Sequence, residues 1–247
     1  MQLLLKRLMN NTVNKEYFYK RKSHRTFSPT PLTKEELSFV NEVFNNAEPL
    51  IKDIKVASLI VKKEETSVSR GEYCLLVYSE KKDYYLENIG YILSQVDLIL
   101  QQNNIGVCFL GMGRTKLKEY KGLPFCTMLN FGAMLENSLR NYLTDFKRNE
   151  PTKSLPYEIA LPASLAPSAC NSQPWNIKKD GKNIIVTRGC GNPSIMRGEI
   201  KTFFNKIDMG IYLYYLKALI PNSQICIDNS TISCNDDDKT IINYRTM

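Results

Sequence analysis

A chain of 247 residues, 43% hydrophobic and 23% charged, has the composition of a packed globule, either one large domain or two small ones. No apolar run reaches the roughly 18–20 residues of a membrane span, and Met1-Gln2-Leu3-Leu4-Leu5-Lys6-Arg7 is too short an apolar stretch for a secretory signal, so a cytoplasmic location is expected. The 33 Lys and Arg against 25 Asp and Glu, net +8, would suit a nucleic acid or another anionic surface, but the basic residues are scattered and no helix-turn-helix, zinc-finger or aromatic RNA-binding signature accompanies them.

The elements read as follows in chain order. Thr33 and Glu36 form a capping box with Leu32 and Leu37 as its staple, and Leu37, Val40, Phe44 and Ala47 carry a helix that Pro49 ends. Residues 72–78 are a buried strand. A long helix over 84–102 presents Ile89, Ile92, Leu93, Val96, Ile99 and Leu100 on one face, and Asn103-Asn104-Ile105-Gly106 stops it. Strands at 105–110 and 125–131 flank the turn Gly111-Met112-Gly113. Residues 140–155 are polar and are expected to cross the surface. A short helix at about 156–165 then leads to a hairpin, 175–179 and 182–187, turning at Asp180-Gly181. An apolar helix at 205–219 stops before Pro221, and late strands at 224–228 and 240–245 flank the acidic turn Asp236-Asp237-Asp238.

This order contains a weak repeat. Glu87-Asn88-Ile89-Gly90-Tyr91-Ile92-Leu93 and Lys206-Ile207-Asp208-Met209-Gly210-Ile211-Tyr212-Leu213 each open an apolar helix after a strand-rich stretch. The glycine in each would let two helix backbones approach closely.

Seven cysteines, Cys74, Cys108, Cys126, Cys170, Cys190, Cys226 and Cys234, include no Cys-x-x-Cys pair, so neither a disulfide framework nor a metal site is expected. Cys170 reads as a space-filling residue rather than a reactive thiol.

Two segments carry polar chemistry. In Arg21-Lys22-Ser23-His24-Arg25, alternation along an extended backbone would turn Arg21, Ser23 and Arg25 to one side, with Lys22 and His24 facing elsewhere. Guanidinium forks and a hydroxyl suit a phosphate, as would a second basic pair, Lys147-Arg148. In Ala166-Pro167-Ser168-Ala169-Cys170-Asn171-Ser172-Gln173-Pro174-Trp175, two prolines restrict the backbone, and Ser168, Asn171, Ser172 and Gln173 offer neutral donors and acceptors for an uncharged heteroaromatic or sugar-like group. Trp175 is assigned to the core.

Arg-x-Ser-x-Arg followed by Ala-Pro-Ser-x-x-Asn-x-Gln-Pro-Trp after a short helix resembles the nitroreductase family of flavin enzymes. The segment Ile105-Gly106-Val107-Cys108-Phe109-Leu110-Gly111-Met112 is similar to the family's strand beside the flavin ring, and Phe146-Lys147-Arg148 to its late basic element. The polar loop stands in the second half, whereas its first-half place reads Asn46-Ala47-Glu48-Pro49-Leu50. The chain therefore resembles the fused, single-chain nitroreductases of the Thermotoga type.

The resemblance implies an α+β fold, internally duplicated, with a central, mostly antiparallel sheet flanked by helices. Residues 1–150 and 151–247 would be its two halves, forming one compact unit. It implies FMN as cofactor and NAD(P)H as electron donor, a nitroaromatic, quinone or similar small-molecule acceptor, ping-pong hydride transfer and a monomer. The cofactor-binding residues would be Arg21, Lys22, Ser23, Arg25, Phe109, Leu110, Gly111, Met112, Arg148, Pro167, Ser168, Asn171 and Gln173. Arg21, Ser23 and Arg148 would take the phosphate, Arg25 the pyrimidine edge, and a main-chain N–H near Gly111 the ring's N5. No side chain is expected to be catalytic, since the flavin carries the chemistry. Without a second basic entrance, one flavin per chain is expected. Replacing Arg21 and Arg148 together by alanine should abolish flavin retention and spare the fold. Residues 62–70 and 188–202 are candidate pocket walls. The alternative is a flavin-binding storage or sensing protein without turnover.

Overall fold

The computed structural model describes residues 12–228 and 241–246. A one-turn helix, α1 (Tyr17–Lys20), precedes α2 (Lys34–Asn46), β1 (Val56–Lys62), β2 (Tyr73–Ser79), α3 (Tyr85–Gln102), β3 (Ile105–Phe109), β4 (Glu119–Tyr120) and β5 (Leu123–Ala133). After a link containing a single 3-10 turn come α4 (Tyr157–Ser164), β6 (Trp175–Asp180), β7 (Asn183–Arg188), α5 (Gly198–Leu219), β8 (Ser223–Asp228) and β9 (Ile241–Thr246). The capping box forms as read: Thr33 Oγ1 accepts Glu36 N–H at 3.1 Å, and Glu36 Oε2 accepts Thr33 N–H at 2.8 Å. Helix α5 begins earlier than its apolar run indicates, and β1, lacking a clean alternation, is an addition to the elements read from the sequence. The acidic turn at 236–238 lies outside the described residues.

All strand pairs are antiparallel, and they form two sheets rather than one. The first runs β1-β2-β5-β3, with β4 added to β5; the second runs β6-β7-β9-β8. With the two-residue β4 set aside, each set is helix, two strands, long helix, two strands, and in each the spatial order is first, second, fourth, third. The sequence repeat is thus a repeat of topology.

Helices α3 and α5 pack on each other and join the two sets in one continuous apolar core. Their crossing is reciprocal. A Cβ added to Gly90 would fall on the Ile207 carbonyl, 2.8 Å from its carbon; one added to Gly210 would fall on the Glu87 carbonyl, 2.7 Å from its carbon. Only glycine permits this approach.

Nearly every residue of α3 is buried, as befits a helix covered all round. Its buried polar side chains anchor loops. Asn88 Oδ1 accepts Ile51 N–H at 2.9 Å, Gln95 Oε1 accepts Glu48 N–H at 3.0 Å, and Asp97 and Gln101 hold residues 21–24. Among the described residues no helix is long and apolar enough to cross a membrane.

Candidate functional site

Residues 21–28 run extended beside the first sheet: His24 N–H donates to the Val107 carbonyl at 2.9 Å and Ser28 N–H to Ala133 at 2.8 Å. His24 turns inward over Gly106, where an added Cβ would lie 3.0 Å from the imidazole Cγ. His24 Nε2 lies 3.1 Å from Gln101 Oε1, an oxygen that can only accept, so Nε2 carries the proton. Burial lowers the ring's pKa from 6.5 to about 4, which keeps His24 neutral and structural. Gln101 Oε1 also accepts Lys22 N–H at 3.0 Å, and its Nε2 donates to Asp97 Oδ1 at 2.6 Å. Asp97 lies 3.0 Å from Arg21 Nε, and both side chains are 1% exposed. The two form a buried ion pair, and Arg21 Nη2 has no hydrogen-bond partner. Burial raises the Asp97 pKa, while Arg21 and Gln101 oppose the rise.

Arg21 opens onto a cavity of about 650 Å³ with a basic wall: Lys22, Arg25, Arg140, Lys147 and Arg148 line it with Ser23 and Ser138. Lys22 therefore faces the same space as its neighbours instead of pointing elsewhere. Burial, and then the charge of Arg21, lowers the pKa of Arg140 and of Arg148 to about 10. Arg148 Nε and Ser138 Oγ are buried without partners. The lining carboxylate, Asp145, is already used: its Oδ2 accepts the N–H groups of Asn141 and Tyr142 at 3.2 Å each. Arg140 donates to the Arg21 and Asp145 carbonyls and Arg148 to Asn171, but these neutral acceptors do not cancel the mutual repulsion of the guanidinium groups, which a phosphate would relieve. Residues 140–155 thus build the site; they do not simply cross the surface.

Helix α4 leads the chain into 166–175, where Cys170, Asn171 and Gln173 hold φ of 49°, 58° and 47°. Such left-handed conformations cost roughly 1–2 kcal/mol each outside glycine, so the surrounding bonds must hold the loop. Ala169 N–H donates to both oxygens of Asp208, at 3.0 and 3.1 Å. Ser168 Oγ accepts Gln173 N–H at 3.0 Å. Asn171 Oδ1 accepts from Arg148 Nη1, its Nδ2 donates to the Lys147 carbonyl at 2.7 Å, and Gln173 Oε1 accepts Asn149 N–H at 2.9 Å. Asn171 and Gln173 grip residues 147–149 and so aim Arg148. Asn171 still borders the basic cavity; Gln173 does not, so its expected place against a cofactor is corrected to a supporting one. Trp175 stacks on Tyr212, centroids 4.5 Å apart and planes 15° apart, as a core residue.

Ser23, Arg25, Pro167, Ser168 and Cys170 border a second cavity as well, of about 250 Å³. Its wall is largely apolar: Phe109 at the end of β3 and Met112 beyond it, then Met196, Phe204, Ile207 and Ile211. Gly111 is needed there, since an added Cβ would lie 2.6 Å from the Phe204 ring. The Leu110 side chain packs on the small cluster around Val61, Leu76 and Met128, which leaves only its backbone to serve the site. A flat apolar slot joined to a basic chamber is a shape for an aromatic group with an anionic tail. A larger open groove, about 830 Å³, lies on the far side of Arg25 between exposed loops. Residues 62–65 and 69–70 wall that groove rather than the slot, and its cations alternate with Glu64, Glu65 and Glu72. Arg21, Ser138 and Arg148, each with a buried polar atom lacking a hydrogen-bond partner, line the basic cavity, and that cavity with the adjoining slot is therefore the candidate site.

Three contributions escaped the sequence reading: Arg140, Asp208 and the face Phe204-Ile207-Asp208-Ile211. The last has helical i, i+3, i+4, i+7 spacing and looks like plain core. Its one visible signal is an acid inside the apolar stripe.

A family model described as "Putative TM nitroreductase" matches residues 14–220. Among solved structures, a nitroreductase from Thermotoga maritima MSB8 matches with 20% identity over 94% of this chain and 94% of its own, at a TM-score of 0.58. An FMN-dependent nitroreductase from Clostridium difficile R20291 matches with 15% identity over 53% of this chain and 93% of its own, at a TM-score of 0.43. A nitroreductase in complex with FMN from Desulfovibrio desulfuricans matches with 16% identity over 56% of this chain and 96% of its own, at a TM-score of 0.39. No curated protein matches the chain. The family match spans α1 to the end of α5, taking in both cavities, and the Thermotoga neighbour extends the fold over nearly the whole length: the chain belongs to the nitroreductase family of the Thermotoga single-chain type.

Proposed function

We propose that the protein is an FMN-dependent oxidoreductase that passes electrons from NAD(P)H to an electrophilic small molecule such as a nitroaromatic or quinone. The observation that carries this reading is the cluster of Arg21, Arg140 and Arg148, in which Arg21 and Arg148 keep buried donors without a hydrogen-bond partner, opening through Ser23, Arg25 and Ser168 into an apolar slot. Arg148, Arg140 and Ser23 would hold the phosphate, with Arg21 behind them as a buried charge fixed by Asp97. Arg25, at the junction, would face the polar edge of the ring and stabilise negative charge there. Pro167 and Ser168 would border the ring's rim, and Phe109, Gly111 and Met112 its flank. The bound flavin supplies the hydride chemistry; the chain positions it, excludes water with Phe204, Ile207 and Ile211, and sets its electrostatics.

The repeated topology is read as a fusion of two nitroreductase-like halves, 1–150 and 151–247, that serve one site in a monomeric cytoplasmic protein. Titration of the cofactor-free protein with FMN, followed by quenching of flavin fluorescence, is expected to saturate at one flavin per chain, and NADH or NADPH should then bleach the visible band. No binding refutes the proposal; two flavins per chain refute the single-site reading; binding without oxidation of NAD(P)H by a quinone makes the protein a flavin carrier.

A further inference from the structure

Asp208 is the one carboxyl among the residues lining the apolar slot. It is 2% exposed, and both its oxygens accept Ala169 N–H, which fixes the polar loop. That task does not require an acid. Asn88 stands two residues before Gly90 as Asp208 stands before Gly210, and Asn88 Oδ1 accepts Ile51 N–H from the corresponding loop of the other half at 2.9 Å. The fold thus contains its own control: an amide suffices for the main-chain bond, yet at the position that lines the cavity an ionisable group stands in its place.

The groups facing Asp208 are few. Arg148 approaches from the basic segment, Arg25 lies across the cavity, and Cys170 sits on the polar loop. Burial outweighs the pull of Arg148 and raises the carboxyl well above 3.8. A carboxylic acid kept neutral in an apolar slot can give a proton to a substrate that gains electrons there.

We infer that Asp208 is the proton donor of this cavity. The inference rests on the flavin reading above. Reduction of a quinone to a hydroquinone takes one hydride and one proton. The bound cofactor would supply the hydride; the proton would come from Asp208, whose O–H bond breaks as an O–H bond forms on the quinone oxygen. The carboxylate left behind recovers its proton from water in the adjoining open cavity.

The test compares the full-length protein with Asp208→Asn. In the cofactor-free state at neutral pH, the infrared difference spectrum should show the carbonyl band of an un-ionised carboxylic acid that the variant lacks; no such band overturns the inference. With FMN bound and NADH as donor, turnover is measured with a quinone and with ferricyanide, a one-electron acceptor that takes up no proton. The quinone-to-ferricyanide ratio should fall about 100-fold or more in the variant. Equal slowing with both acceptors overturns the donor role and leaves Asp208 a positioning residue. In the wild type alone the same ratio should fall as pH rises through the raised pKa of Asp208, and a flat profile also overturns it. A chain that takes up no FMN sinks the functional reading and the donor role with it, whereas a missing infrared band sinks the inference alone.

Discussion

The crossing of α3 and α5 carries the site, because α3 holds Arg21, Lys22 and His24 through Asp97 and Gln101 while α5 holds the polar loop through Asp208. Gly90→Ala and Gly210→Ala test it. Each new methyl would sit 2.8 or 2.7 Å from a main-chain carbonyl carbon of the other helix. Ordinary carbon contacts lie near 3.5–4.0 Å, and the carbonyl oxygen is nearer to the methyl than its carbon, so the axes must part by more than about 1 Å. Overpacking of this kind costs roughly 1–3 kcal/mol, and the better helix propensity of alanine returns up to about 1 kcal/mol. A net loss of about 1–2 kcal/mol corresponds to a fall in Tm of roughly 2–8 °C for a chain of this size. The double variant should lose less than the sum, because helices already parted have room for the second methyl. Thermal melts by circular dichroism give the numbers, and FMN affinity should weaken in parallel as the two walls separate. Single variants that melt at or above the wild type, or a strictly additive double variant, would refute the reciprocal contact.

Arg148→Ala should weaken FMN binding roughly 10- to 100-fold, the worth of one charge-assisted bond, with a melting temperature near the wild type. Arg21→Ala should instead lower stability by about 3–5 kcal/mol, because it leaves Asp97 buried and without its countercharge; thermal melts paired with FMN titrations separate the two. His24, the only histidine, should give a single imidazole titration by NMR near pH 4. Its folded pKa lies below 6.5, so the stability it contributes is present above 6.5 and is lost as pH falls towards 4. Glu87 shifts the other way, from 4.5 to about 7, chiefly through burial. The unfolded chain ionises there first, so stability should decline as pH rises from about 4.5 to 7, by on the order of 3 kcal/mol. Glu87→Gln should remove that slope in melts taken from pH 5 to 8.

The fold was largely legible because its signals are local. The Thr33-Glu36 box, the turn at Gly181, and the long apolar helix stopped at Asn103-Asn104 each need only a few adjacent residues. The division into two sheets was not legible, since strand order is set by pairing across the chain, and β5 joins β2 and β3 from a distance. The paired glycines gave the one long-range clue, and the reciprocal helix contact explains why it was there.

The site divides in the same way. The basic segment and the polar loop were visible by residue type, but the work each side chain does was not. Asn171 and Gln173 look like ligand groups until residues 147–149 are placed against them; their hydrogen bonds then go to Arg148, Lys147 and Asn149. A count of donors and acceptors in a loop therefore overstates what the loop can offer a ligand. The converse holds for α5. Asp208 is hidden in an apolar stripe, and nothing in its neighbours along the chain distinguishes it from a tolerated core acid. Only its match with Asn88 in the other half does so. Two copies of one fold, sharing the loop-pinning bond and differing in whether the pin can ionise, isolate that acidity from the structural task, which no single copy could do.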